Sequence, residues 1–216
     1  PVAIAEDKIF HFQYPETKDF LREIGVPLIS WDIFNDEEIP SDASSVIIPG
    51  GFPEKYADHL SSSKRSLNSL KSFLKTGFIY AECGGMMILG ESIEDKNGKE
   101  HKMANILPFK AKKGKLSVGY RDIKGIRNSL IIQKDQVLKG HEFHYWQIEK
   151  KHTPLKYTKN KINNPWKIKS WGTGYENEGW CTNNLHASWV HLHLPSSIEG
   201  SINFINCIEK FSNKNT

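Results

Sequence analysis

The chain has 216 residues, of which 38% are hydrophobic and 25% charged, and its formal net charge is +4. This length fits one large domain or two small ones, and the sequence has neither an apolar run near the roughly 20 residues that span a bilayer nor a secretion signal at its start. Cys83, Cys181 and Cys207 are too scattered for a disulfide framework, which excludes a disulfide-rich secreted protein and predicts a cytoplasmic location.

Strands and helices are predicted to alternate along the first part of the chain. Four apolar runs predict buried strands, at residues 2–4, 26–31, 45–48 and 78–81. Two stretches with helical spacing of apolar residues lie between them, at residues 16–24 and 64–76. Pro15 stands where the first helix would begin, and Gly25 and Gly77 stand where the two helices would end. This alternation predicts an α/β protein with a mostly parallel sheet and helices on both faces.

The rest of the chain predicts a different arrangement. Strand-like runs with brief connections follow at residues 116–123, 130–132, 136–138 and 142–148. They predict an antiparallel extension of the sheet. Residues 150–175 have the weakest pattern and are interpreted as a long loop or insertion. A strand at residues 185–192 and a closing helix at residues 198–211 complete the predicted elements.

Cys83 is the first candidate functional residue, because it lies between the apolar run at residues 78–81 and the pair Gly84-Gly85. A nucleophile at a tight strand-to-helix turn is pushed out of the sheet edge, and small residues must flank it so that the backbone can bend. The start of the following helix favours a thiolate, and its N–H groups can hold an oxyanion. The alternative is a buried structural cysteine, but the two glycines favour a catalytic one.

A second glycine pair, Gly50-Gly51, follows the predicted strand at residues 45–48. In open α/β sheets, ligands bind beyond the carboxyl ends of the strands. The N–H groups of this pair are therefore candidates to complete an oxyanion hole opposite Cys83. The alternative is a Gly-Pro turn that only reverses the chain.

A thiol nucleophile needs a base, and the nine histidines supply candidates. His191 and His193 lie at the end of the last predicted strand, where alternation would turn both to one face. His141 and His144 lie in another strand-like run. A metal site would draw on these histidines and Glu142, but their spacing matches no strong zinc signature, so no metal is predicted. For each histidine, a hydrogen-bonded position in the core is the alternative.

Lysines are concentrated at residues 110–115 and 150–169. A basic run can bind nucleic acid or a polyanionic small molecule. No aromatic-and-basic recognition motif accompanies these runs, so a solvated surface is favoured and no nucleic-acid partner is predicted. The chain contains no G-x-x-x-x-G-K-[ST] phosphate loop and is not expected to bind ATP by that motif.

Four motifs in order along the chain carry a resemblance to a known family. They are GGFPE at residues 50–54, AECGG at 81–85, GHEFH at 140–144 and ASWVHLH at 187–193, and IFHFQYP at residues 9–15 adds to them. Together they resemble the glutamine amidotransferase domain of cobyrinic acid a,c-diamide synthase, an enzyme of corrinoid (vitamin B12) biosynthesis. The resemblance covers nearly the whole chain and implies the class I glutamine amidotransferase fold, in which the mostly parallel sheet is flavodoxin-like.

The resemblance implies roles for individual residues. Cys83 matches the family's nucleophile and His191 its base, and the N–H groups of Gly51 and Gly84 are candidates for the oxyanion hole. Many class I glutaminases have a carboxylate two residues after the histidine, and here that position is His193. A neutral histidine there is expected to orient His191 by a hydrogen bond, without stabilising an imidazolium as a carboxylate would.

The resemblance also implies a glutamine site around the same turns. Gly50 and Phe52 belong to the matching glycine motif and are expected to line it. Met87 stands where other class I glutaminases often have a glutamine that contacts the substrate. Other groups must then hold glutamine, and His144 and Tyr145 are the predicted ones.

The family's complete enzyme joins this glutaminase to an ATP-dependent synthetase domain. The resemblance therefore implies that residues 1–216 are one glutamine amidotransferase domain, forming the C-terminal part of a longer synthetase, and the start without Met agrees with this. Glutamine is the expected substrate. ATP and Mg²⁺ are expected to act in the synthetase domain, on the same or a separate chain, and no cofactor is expected in this one.

Several alternatives stay open. Cobyric acid synthase is similar, although its late motif usually reads His-Gly where this chain reads His191-Leu192-His193. A nickel-tetrapyrrole diamide synthase shares the motifs, so the identity of the tetrapyrrole is open. A catalytically silent docking domain of the same fold and an unrelated cysteine hydrolase are the remaining candidates.

Overall fold

A sheet of parallel strands forms the centre of the computed structural model, which describes residues 1–150 and 161–212. The described residues form twelve strands: β1 (Val2–Ala5), β2 (Leu28–Trp31), β3 (Ser45–Ile48), β4 (Phe78–Glu82), β5 (Ser92–Glu94), β6 (Glu100–Lys102), β7 (Phe109–Gly125), β8 (Val137–Lys150), β9 (Trp166–Lys169), β10 (Tyr175–Glu178), β11 (Trp180–Cys181) and β12 (Leu185–Ser188). The central sheet has the order β11-β12-β4-β3-β1-β2, and only β11 is antiparallel to its neighbour. Its five parallel strands follow the flavodoxin-like order 2-1-3-4-5, which confirms the predicted fold class.

Helices cover both faces of the central sheet, as the alternation of elements predicts. They are α1 (Pro15–Glu23), α2 (Ala57–Ser62), α3 (Lys64–Phe73), α4 (Gly84–Met87) and α5 (Ile198–Ser212). Leu67 and Leu70 of α3 pack in the core on one face, while Leu21 of α1 and Phe204 of α5 pack in the core on the other. None of the described helices is long and apolar enough to cross a membrane.

The central strands are buried on both faces, so their residues alternate between the two cores. In β4, Ile79 and Ala81 pack in one core while Phe78 and Tyr80 pack in the other. A strand buried on both faces needs a continuous apolar run, which is the signal that predicts these strands. Glu82 ends β4 with a buried charged side chain, and this interrupts the pattern.

A long antiparallel ribbon of β7 and β8 dominates the second sheet, which has the order β10-β9-β7-β5-β6 with β8 paired to β7. This ribbon is the predicted antiparallel extension. Residues 130–132 form no strand, because Ile131 and Ile132 fill the core from a loop instead of pairing. The stretch 150–175, interpreted from the sequence as a long loop or insertion, contains β9 and the first residue of β10. β9 is held by pairing with β7, and β10 is held by pairing with β9. Residues 151–160 of the predicted loop lie outside the described residues.

The carboxyl ends of β3, β4 and β12 meet at one edge of the central sheet, because the three strands are parallel neighbours. The chain leaves β3 into Gly50-Gly51, leaves β4 directly into Cys83, and continues from β12 towards His191. The topology therefore brings together three sequence motifs that are far apart along the chain.

Candidate active site

Cys83 occupies the strained turn that its glycine-flanked motif predicts. It lies between β4 and α4 with φ +49° and ψ −112°, a conformation that residues other than glycine seldom adopt. Its N–H donates to the carbonyl oxygen of Ser188, at the end of β12, over 2.7 Å. A strand-to-helix turn of this kind aims a nucleophile out of the sheet edge.

Three glycines let the turn after β3 pack directly against the turn after β4. A Cβ on Gly84 would lie 2.7 Å from the carbonyl oxygen of Gly51. A Cβ on Gly85 would overlap the carbonyl oxygen of Ile48, and one on Gly51 would overlap a second carbonyl oxygen, that of Ile9. The glycine pairs in the sequence are therefore required for close approach of two backbones.

Two N–H groups at this contact donate to no acceptor among the described residues. They belong to Gly51 and to Gly84, the first residue of α4, where a helix leaves its N–H groups unpaired. Both stand beside Cys83, as an oxyanion hole serving its thiol would require. Phe52 differs, because its N–H donates to the carbonyl oxygen of Ile9 over 3.1 Å. Its ring lies near that of His11.

His191 reaches the same turns from beyond β12 and is held there by β8. Its N–H donates to the carbonyl oxygen of His141 over 2.8 Å, and the N–H of His141 donates back over 3.0 Å. The imidazole is buried, packs edge-on against Phe12, and lies where a Cβ on Gly50 would overlap it. The described part of the chain contains no cluster of three His, Cys, Asp or Glu side chains that could hold a metal ion.

Two groups from the end of β4 surround the imidazole of His191. Its Nδ1 lies 3.3 Å from Oε2 of Glu82. Its Nε2 makes no well-aligned hydrogen bond with a described atom, although catalytic hydrogen bonds often tighten only when substrate binds. Burial lowers the pKa of His191, but the adjacent side chains of Cys83 and Glu82 raise it to about 10. A charged imidazole in this position stabilises a thiolate.

Glu82 is a site residue that no sequence pattern singles out. Its Oε1 accepts hydrogen bonds from the Tyr80 hydroxyl, over 2.5 Å, and from the Leu192 N–H, over 2.9 Å. The one available signal is a charged residue at the end of a strand that is otherwise apolar on both faces. Its contact with His191 joins distant parts of the chain, so no local pattern reveals it.

His193 does not make the hydrogen bond to His191 that the sequence predicts. Its ring packs edge-on against Tyr14, and its Nε2 is 4.0 Å from a carboxylate oxygen of Glu16. Glu82 is on the Nδ1 side of His191 instead, and the described atoms include no hydrogen bond between the two histidines. The reason is that β12 ends at residue 188, so strand alternation does not continue through these positions.

The side chains of His144 and Tyr145 lie on opposite faces of β8. The sequence predicts that both contact glutamine in one site. They are consecutive in β8 and therefore point to opposite faces of the ribbon. His144 is stacked on Trp189 with ring centroids 4.0 Å apart, and its Nδ1 donates to the carbonyl oxygen of Trp146 over 2.7 Å. Tyr145 is half exposed beside Phe143. One pocket cannot receive both side chains, and contact of either with glutamine stays a prediction.

The thiol of Cys83 is covered by β8. Its Sγ donates a weak hydrogen bond to the carbonyl oxygen of Phe143 over 3.8 Å, and the residue is only 6% exposed. The sulfur is therefore shielded from solvent beneath this segment of β8. Cys181 and Cys207 are also free and buried, and burial raises the pKa of their thiols to about 11 and about 12 respectively.

Replacing Gly51 with alanine is expected to lower the free energy of unfolding by about 3 kcal/mol, because the new Cβ would overlap the carbonyl oxygen of Ile9. Gly174→Ala is the control, since a Cβ at that position meets nothing within 4 Å and should change stability by less than about 1 kcal/mol. Urea unfolding of the two variants measures the difference. Equal midpoints would contradict the close approach of the Gly51 backbone to Ile9.

Comparisons with known proteins agree with this geometry. The model of the CobB/CobQ-like glutamine amidotransferase domain matches residues 1–198. The chain is 35% identical over 201 residues to a cobyrinate a,c-diamide synthase of Salmonella typhimurium, which covers 92% of this chain and 42% of that relative. It is 32% identical over 216 residues to one of Caldanaerobacter subterraneus subsp. tengcongensis, covering 99% of this chain and 46% of the relative. The chain thus spans less than half the length of these curated relatives.

A solved structure supports the same assignment of fold. The crystal structure of a glutamine amidotransferase from Thermotoga maritima superposes with a TM-score of 0.59, over 99% of this chain and 84% of that one. The two sequences are only 16% identical, so this similarity shows a shared fold. Together with the family model and the relatives, it confirms the resemblance carried by the four motifs. The chain belongs to the family of CobB/CobQ-like glutamine amidotransferase domains.

Proposed function

We propose that this chain is the glutaminase part of a cobyrinate a,c-diamide synthase, which releases ammonia from glutamine for amidation of the a and c carboxylates of cobyrinate. One observation carries the glutaminase activity. Cys83 stands at a strained turn, close to the imidazole of His191 and to the N–H groups of Gly51 and Gly84, which donate to no described acceptor. The names of the two relatives support cobyrinate as the molecule that receives the ammonia.

The first half of the reaction releases ammonia. The Cys83 sulfur forms a bond to the carboxamide carbon of glutamine, and the negative charge that develops on oxygen is held by the N–H groups of Gly51 and Gly84. His191 gives its Nε2 proton to the departing nitrogen. The C–N bond breaks, and ammonia leaves a thioester on the enzyme.

The second half releases glutamate. The neutral imidazole of His191 takes a proton from water, whose oxygen adds to the thioester carbonyl carbon. The C–S bond then breaks, and the thiolate of Cys83 and the charged imidazole are restored. The sum is glutamine plus water giving glutamate plus ammonia.

We infer that the remainder of the longer protein is an ATP-dependent synthetase portion that uses Mg²⁺ and activates the carboxylates. The share of 42% and 46% that this chain covers in its relatives leaves room for such a portion. The lysines at residues 110–115 are weak candidates for the contact surface, because Lys112 pairs with Glu149 at 2.6 Å and Lys110 pairs with Glu100.

We infer that the synthetase portion docks on the outer face of the ribbon. This face consists of exposed apolar side chains that alternate along β7 and β8: Leu116, Val118, Tyr120, Phe143 and Tyr145, which are 41–82% exposed. Val118 pairs across the strands with Phe143, whose carbonyl covers Cys83. An apolar surface continuous with the segment that covers the nucleophile fits a partner that both excludes water and moves that segment.

The isolated chain is expected to hydrolyse glutamine slowly, because β8 covers Cys83. Supplying the synthetase portion as a separate chain, with Mg-ATP and cobyrinate, should raise glutamate release by about tenfold or more and yield amidated cobyrinate. Val118→Lys with Tyr120→Lys should remove most of this stimulation, while the exposed control Ile202→Lys on α5 should keep it.

Three results would contradict parts of this proposal. A full rate from the isolated chain would rule out control by the partner. Equal stimulation of the ribbon variant and the control would rule out the docking surface. Hydrolysis of simple esters or peptides in preference to glutamine would favour an unrelated cysteine hydrolase.

A further inference from the structure

Glu82 is a buried carboxylate whose contacts all lead to the base of the site. Its side chain is 8% exposed, and its Oε2 lies 3.3 Å from Nδ1 of His191. Its Oε1 accepts one hydrogen bond from Tyr80 and one from the N–H of Leu192, the residue after the base. One carboxylate therefore contacts both the imidazole and the peptide group that follows it.

We propose that Glu82 is the positioning residue for His191. It holds Nδ1–H, so that Nε2 faces the thiol, and it stabilises the positive charge of the imidazole during proton transfer. A carboxylate from the strand of the nucleophile thus takes the part that many class I glutaminases give to a carboxylate two residues after the histidine. This inference rests on the proposed glutaminase function and names a further residue of that site.

The register of the central sheet explains how this contact arises. Glu82 pairs with Ser188 in the parallel ladder between β4 and β12. Its side chain shares a face of β4 with Tyr80, as residues two apart in a strand do. The chain beyond Ser188 turns back over that face within three residues, which brings His191 to the carboxylate.

The Tyr80 hydroxyl fixes the orientation of the carboxylate. Burial and the charge of Glu82 raise the pKa of Tyr80 well above its usual value, so the phenol keeps its proton and acts as a donor. With one oxygen held by Tyr80 and Leu192, the second oxygen has a fixed direction towards Nδ1 of His191.

The other titratable groups around the imidazole do not replace this charge. His141 faces His191 from β8. Burial is the main cause that lowers the pKa of His141, and the positive charges of His191 and Arg121 lower it further. Cys83 faces the Nε2 side as the reacting group. Glu82 is therefore the carboxylate that can balance an imidazolium at Nδ1.

Glu82→Gln tests the proposal, with Glu178→Gln as the matched control. Glu178 is a half-buried carboxylate, and its hydrogen bonds come from Trp166 and Trp189. Burial raises the pKa of Glu178 to about 7, so its protonated, neutral form is populated at neutral pH. The neutral amide of glutamine resembles that form. The Glu82→Gln amide would keep its oxygen on Tyr80 and turn its NH₂ group towards Nδ1, which forces the wrong imidazole tautomer.

Glu82→Gln is expected to lower kcat by about 100-fold with KM within about threefold, whereas Glu178→Gln keeps kcat within about threefold. Equal effects of the two substitutions would reduce Glu82 to a structural role and overturn the proposal. So would a kcat for Glu82→Gln close to that of the unsubstituted chain.

Two further measurements do not depend on glutamine, and the first of them needs no variant. NMR titration of the unsubstituted chain should show His191 losing its Nε2 proton near pH 10, with Nδ1 still protonated above that pH. Alkylation of Cys83 by iodoacetamide at pH 7 should slow in Glu82→Gln but not in Glu178→Gln. Titration of His191 at or below its ordinary pKa of 6.5 would overturn the proposal. If these results hold and glutamine is not hydrolysed, the positioning role stands and the proposed function fails.

Discussion

Replacing Cys83 with alanine is expected to lower glutamine turnover at least about 1,000-fold, because no other group in the site can form the covalent intermediate. The turn itself should survive, since alanine is smaller than cysteine and the strained backbone is held by the bond from its N–H to Ser188. Glutamate release measured on folded Cys83→Ala and Cys83→Ser proteins gives the direct test. Activity retained in either would remove the thiol from the mechanism.

Covalent labelling provides the control for this prediction. A diazo-ketone analogue of glutamine should modify Cys83 alone, because Cys181 and Cys207 are buried and their thiols have raised pKa values. Mass spectrometry of peptides from the labelled chain reads out the site. Equal labelling of the three cysteines would mean that the reagent follows accessibility and not a built site.

The central part of the fold could be predicted because its signals are local. Runs such as residues 45–48 and 78–81 are apolar throughout, and this pattern reflects burial on both faces. The second sheet was harder to predict. Residues 166–169 read WKIK and resemble a polar linker, yet they form β9 because β7 supplies the pairing. Ile131 and Ile132 show the converse, since an apolar run can fill a core without forming a strand.

Some residues of the candidate site can likewise be predicted from local sequence, and others cannot. Cys83, Gly51 and Gly84 follow from sequence neighbours, because a tight turn and a close backbone approach require small residues at fixed positions. Glu82 and His193 depend on where the chain goes after β12 ends. An assumed continuation of the strand assigns the orienting contact to His193, whereas the actual turn gives it to Glu82.

Because Glu82 and not His193 contacts His191, substitutions of His191 and of His193 are expected to change glutamine turnover by very different amounts. Replacing His191 with alanine should lower glutamine turnover by about 100-fold or more, because it removes the group that protonates the leaving nitrogen and activates water. The imidazole also stabilises the thiolate, so alkylation of Cys83 at neutral pH should slow in the same variant. Side-by-side kinetics and alkylation rates, on proteins with matched unfolding midpoints, measure both effects.

His193→Ala is the matched control, because it removes a second imidazole two residues away. His193 contacts Tyr14 and Glu16 at the surface, so its loss should change turnover by no more than about threefold and leave alkylation of Cys83 unaltered. If His193→Ala proved the more damaging substitution, the base of this site would have to be reassigned. The carboxylate of Glu82 would then lie beside a histidine that carries no proton in the reaction.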